Sequence, residues 1–69
     1  MRAVIATKSE QTITVNNIAT VKEGGCSGGI GQEFTDFSTL MIDASRCYAF
    51  VGTETVIVAG KDIEYIQFD

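Results

Sequence analysis

The 69-residue sequence predicts a small all-β domain, a compact antiparallel arrangement of five to six short strands. Three observations carry this. Runs rich in Val, Ile and Thr recur along the chain, and their branched side chains pack well on a pleated surface. Polar or glycine-containing turn signals separate these runs at short intervals. A faint internal repeat links two of them. Thr12-Ile13-Thr14-Val15 leads through Asn16-Asn17 into Ile18-Ala19-Thr20-Val21, and Thr55-Val56-Ile57-Val58 leads through Ala59-Gly60-Lys61-Asp62 into Ile63-Glu64-Tyr65-Ile66. Each half reads as a strand, a tight connection and a second strand.

The elements follow in order. Arg2 to Thr7 is a first strand, and Lys8-Ser9-Glu10-Gln11 a hairpin turn. In Thr12 to Val15 the two Thr alternate with Ile13 and Val15, which gives one face in and one face out. Asn16-Asn17 tolerates a left-handed backbone and bends the chain. Ile18 to Lys22 continues it. Residues 23–32 hold five of the seven glycines, and residues so costly to order mark a hairpin tip or a shape that only glycine permits. Ser38 to Ile42 reads as a strand, although residues 34–42 are also the one stretch able to hold a short helix. Asp43-Ala44-Ser45 turns the chain into Arg46 to Val51, and Gly52-Thr53-Glu54 turns it again into Thr55 to Ala59. Gly60-Lys61-Asp62 is a tight connection to a last strand, Ile63 to Phe68.

One domain is all this length allows. A domain of this size buries only about 60% of the surface its unfolded chain exposes, so it needs a staple. There is no His, and there are two Cys, too few for a structural zinc site. The apolar run at the start is too short for a secretory leader. A cytoplasmic, reducing setting with Cys26 and Cys47 as free thiols is therefore expected. That leaves oligomerisation as the staple. Several strands also carry apolar residues on both faces. Tyr48 and Phe50 share one face of their strand, Cys47, Ala49 and Val51 share the other, and Val56-Ile57-Val58-Ala59 has no polar face. A small domain buries one side of a strand, and an uncovered apolar side marks an interface. Tyr48, Phe50, Val56 and Val58 are the expected oligomer contacts.

Five or six short strands, a variable central hairpin and a very short connection before the last strand resemble the small SH3-like and Sm-like barrels. The resemblance is carried by Val56 to Phe68 and implies a small SH3-like barrel. Size and acidity are also similar in style to the accessory proteins of phages and other mobile elements. RNA binding is not implied, since the basic pore residues of Sm-like RNA binders have no counterpart here.

Composition excludes several functions. Net charge is −4, with +1 on residues 1–32 and −5 on residues 33–69, so a basic face for nucleic-acid phosphates is hard to build. No apolar run is long enough for a membrane helix. The glycine-rich segment lacks the Lys and Ser/Thr of a phosphate loop, and Phe34 stands where G-x-G-x-x-G needs its last glycine. Cys26 has no His to activate it as a nucleophile. Asp36 with Asp43, and Asp62 with Glu64, could pair as acid and base, but aspartates in turns serve turn geometry first. No catalytic residue, cofactor or metal is assigned. The expected function is that of a non-catalytic adaptor or inhibitor, a homo-oligomer that docks on another macromolecule. The alternative is a binder of a small anionic, nucleotide-like ligand at the loop. In either case Gly25, Cys26, Ser27, Gly28, Gly29 and Arg46 are the candidate ligand or partner contacts.

Overall fold

The computed structural model describes residues 1–26 and 31–69. Those residues form seven short strands: β1 (Ala3–Thr7), β2 (Thr12–Val15), β3 (Thr20–Gly24), β4 (Glu33–Phe34), β5 (Cys47–Val51), β6 (Thr55–Ala59) and β7 (Ile63–Phe68). They pair antiparallel in two sheets, one ordered β2-β1-β7 and the other β4-β3-β5-β6. No ladder joins β2 to β3 or β6 to β7, so the described strands do not close into a barrel.

The internal repeat marks the two corners of the fold. The chain leaves the three-stranded sheet between β2 and β3 and returns to it between β6 and β7. At the first corner Asn17 takes the left-handed conformation (φ 54°) expected of an Asn. Its amide donates to Thr53 Oγ1 at 2.9 Å, which pins the corner to the β5–β6 turn. At the second corner Gly60–Asp62 forms a 3-10 turn. A Cβ on Gly60 would run into the carbonyl oxygen of Asp43 and lie 2.8 Å from that of Arg46, so only glycine fits.

Alternation decides what is buried. Ala3 and Ile5, Val15, Val21, Tyr48 and Phe50, Val58 and Ile63 point between the sheets and form the core with Ile18. Thr12 and Thr14 face outward, as their alternation predicts. In β7 the two-residue period breaks. The register against β1 shifts at Ala6/Thr7, pairing Ala6 with Tyr65 and Thr7 with Ile63. This bulge turns Ile63 into the core while Tyr65 stays exposed, and Ile66 and Phe68 pack on the same core.

The strand expected over Ser38 to Ile42 is absent; Phe37–Thr39 is a 3-10 turn instead. Local hydrogen bonds win there. Asp36 Oδ1 accepts from the Ser38 amide at 3.1 Å and from its hydroxyl at 2.6 Å, and Thr39 Oγ1 donates to the Asp36 carbonyl at 2.9 Å. These bonds give the backbone an alternative to a ladder. The turn also delivers Phe37 onto Phe68, stacked with ring centroids 4.5 Å apart.

Within the core cluster of the described residues, Tyr48 is the side chain with a polar end to satisfy. Its hydroxyl accepts from the Asp43 amide at 2.6 Å and donates to Glu23 Oε2 at 2.9 Å. Burial, reinforced by the Glu23 carboxylate, raises the phenol above its ordinary value, while the Asp43 N–H bond opposes the rise. A raised folded-state value favours the protonated phenol, so its contribution is complete below the unfolded value, near pH 10, and is lost as pH climbs beyond it. Denaturant midpoints are expected to fall above about pH 10. In Tyr48→Phe that fall shrinks, and stability at neutral pH drops by about 1–3 kcal/mol because the Asp43 N–H loses its partner. A Tyr48→Phe protein with the parental alkaline profile would place the titration elsewhere.

Candidate functional site

The outward face of the four-stranded sheet is built by register alone. Lys22 pairs with Glu33 on one side and with Ala49 on the other, and Ala49 pairs with Ile57. Cross-strand partners share a face, so Glu33, Lys22, Ala49 and Ile57 form a row across the sheet. Thr20, Val51 and Thr55 form the row on one side of it, and Gly24, Cys47 and Ala59 the row on the other. Ile57, at the centre of the edge strand β6, is 72% exposed on this surface. The charged pair on it, Lys22 Nζ to Glu33 Oε2, spans 3.9 Å between well-exposed side chains and adds little stability.

A disulfide joins Cys26 to Cys47, with Cα atoms 5.0 Å apart. This overturns the expectation of free thiols. The reason is register: Gly24 lies opposite Cys47, so the chain two residues further on folds back over the end of β5. The loop is tied to the same outward face. Gly31 passes so close to the Glu23 carbonyl that a Cβ there would collide with it, and the Glu23 amide donates to the Gln32 carbonyl at 2.7 Å. Between loop and sheet lies an open hollow of about 420 Å³, lined by Lys22, Gly25, Gly31, Gln32, Ala49 and Ile57 together with Glu23 and Glu33. Lys22 is already paired with Glu33 there, which does not favour an anion.

The expected contact residues separate. Gly25 and Cys26 lie at this hollow or its rim. Ser27, Gly28 and Gly29 fall outside the described residues. Arg46 is exposed just before β5 and does not line the hollow, and its carbonyl accepts from the Gly60 amide at 2.7 Å. The expected oligomer contacts need correction. Tyr48 and Phe50 are wholly buried, Val58 nearly so, and Val56 packs half-buried on the same core. These side chains hold the domain itself together. The face left open is the other one, with Ala49, Val51 and Ile57. The signal that separates the two was side-chain size. Where both faces of a strand are apolar, Tyr and Phe offer far more area to bury than Cys, Ala and Val, and the larger set turns inward.

The carboxylates of the first pair, Asp36 and Asp43, resolve into two separate turns. Asp43 Oδ1 accepts from the Ser45 amide at 2.8 Å and its hydroxyl at 2.7 Å, repeating the Asp36–Ser38 arrangement. In both cases the hydrogen bonds from the serine hold the carboxyl below its ordinary value. Among the described residues no three Cys, Asp or Glu side chains converge as metal ligands. No helix is long and apolar enough to cross a membrane among those residues. Comparison with known proteins returns no match: no family model, no curated protein and no solved structure resembles this chain.

Proposed function

We propose that the protein is a small non-catalytic interaction protein, an adaptor or inhibitor, that acts as a homo-oligomer and docks on another macromolecule through the outward face of its four-stranded sheet. The observation that supports this reading most is Ile57, 72% exposed on a surface otherwise made of Ala49, Val51, Cys47, Ala59 and two Thr. An apolar patch on β5 and β6, with Lys22 on β3 and Glu33 on β4 beside it, has the anatomy of an interface core and rim. Catalysis is disfavoured by the absence of His and by the engagement of Cys26, the one considered nucleophile, in a disulfide. A small anionic ligand at the loop is the weaker reading, because Lys22 at the hollow is paired with Glu33. The disulfide also favours an oxidising compartment over the cytoplasm.

A photo-cross-linking residue at position 57, with Thr14 on the opposite sheet as the control site, tests the docking face in the cells that make the protein. A discrete heavier adduct from position 57, absent from position 14 and abolished by Ala49→Arg in a protein of unchanged fold, is the expected result. Equal adducts from both positions, or indifference to Ala49→Arg, contradict it.

A further inference from the structure

The two sheets have four edges, and two are protected in ways that natural sheets use. β4 is two residues long, and Lys22 and Glu33 sit across it. β2 is one residue shorter than β6 and, like it, carries no charge and no proline. β7 is flanked by Phe37, Leu40 and Ile42. The fourth edge is β6, Thr55-Val56-Ile57-Val58-Ala59, with no charge and no proline. It pairs with β5 on one side, and among the described residues no backbone hydrogen bond reaches its other side.

Which backbone groups are free follows from the ladder. Gly60 N donates to Arg46 O at 2.7 Å, and Gly52 N to Glu54 O at 3.0 Å. In the β5–β6 register those are the hydrogen-bonded positions beyond each end of the pair. Hydrogen-bonded and non-bonded pairs alternate, so Val56 and Val58 bond to β5, and the N–H and C=O of Thr55, Ile57 and Ala59 point outward. An antiparallel copy of the same strand centred on Ile57 uses all three. Ile57 meets its own counterpart and Thr55 meets Ala59, each pair exchanging both of its backbone bonds. A shift of the centre in either direction leaves one free pair unmatched.

Charge selects the same orientation. Arg46 and Lys61, the two cations of residues 33–69, both lie at the Gly60 end of β6, beside Asp43 and Asp62. Glu54 alone marks the other end. Antiparallel pairing brings each Glu54 to the end of the second copy that carries the cations, whereas parallel pairing sets Glu54 against Glu54. We infer that the second copy of this chain adds to β6, forming a two-fold dimer with one continuous sheet through an Ile57–Ile57 centre. This rests on the homo-oligomeric part of the proposed function and names its contact.

The test uses opposite charges at the two-fold centre. Ile57 is exposed, so Ile57→Lys and Ile57→Glu should each keep the parental circular dichroism and, at dilutions where the parental dimer is dissociated, the parental melting. Like charges directly opposite one another oppose pairing. Native mass spectrometry across a dilution series should therefore show a parental dimer and two variants weakened roughly tenfold or more. An equimolar mixture of the variants should recover a heterodimer. A parental monomer, a dimeric Ile57→Lys protein, an unrestored mixture or assemblies larger than a dimer would overturn the inference. Dimers lost in Ala49→Arg but kept in Ile57→Lys would mean face-to-face association, which removes the edge contact and leaves the docking face standing.

Discussion

Phe50→Ala should cost about 3–5 kcal/mol of unfolding free energy, the largest loss expected from any single truncation in this chain. The ring is wholly buried between the sheets, on a strand paired on both sides, with Val21 opposite it on β3 and Val56 opposite it on β6. Its removal deletes transfer free energy and leaves a cavity that two hydrogen-bonded sheets cannot readily close. A domain of this length commands roughly 3–10 kcal/mol in total, so the variant should be largely unfolded or close to it. Ile57→Ala, on the neighbouring strand but facing outward, should shift monomer stability by less than about 0.5 kcal/mol. Urea unfolding of the two variants distinguishes core from surface. A folded Phe50→Ala protein that merely loses its assembly would return Phe50 to the interface and undo the assignment of faces.

Removing the disulfide has the second largest effect. Cys26 and Cys47 are 21 residues apart in sequence. Closing a loop of that length restricts the unfolded chain by about 3 kcal/mol in the chain-entropy account. For so small a domain this corresponds to a melting shift of roughly 10–25 °C. The paired replacement Cys26→Ala with Cys47→Ala, or reduction of the parental protein, should lower the melting temperature by that amount. The paired replacement should also make melting insensitive to reductant. Identical melting of oxidised and reduced parental protein would mean that the staple lies elsewhere. Since the β3–β4 hairpin carries one end of the bridge, its amides should lose exchange protection on reduction before those of β1 and β7 do.

Much of the fold was legible because its strands alternate and its turns carry specific chemistry. Thr12–Val15, Thr55–Ala59 and Ile63–Phe68 are the strands read from the sequence, with the same bounds. Asn17 takes the left-handed conformation expected of it, and Gly60–Asp62 is the tight connection. The misses have physical causes. Ser38 to Ile42 has the composition of a strand, but Asp36 upstream supplies a competing side-chain bond. The bulge in β7 is invisible to a two-residue period, which sets Ile63 on the face of the exposed Tyr65 rather than in the core. The disulfide was missed because the start of the chain suggested a reducing compartment, so the small domain's need for a staple was assigned to oligomerisation rather than to the cysteines. The doubly apolar faces of β5 and β6 were legible. Which face turns inward was not, because alternation separates two sets without ranking them, and here side-chain volume ranks them.

Residue-resolved hydrogen exchange along β6, followed from dilute to concentrated protein, tests most directly that this strand and its outward face are the free, working surface. The Val56 and Val58 amides, bonded to β5, should exchange slowly at every concentration. The Thr55, Ile57 and Ala59 amides should exchange fast when dilute and become protected as concentration rises. Fast exchange of those three at all concentrations would leave the edge without a second copy. Protection that persists on full dilution would mean that the chain covers its own edge, and would contradict the account.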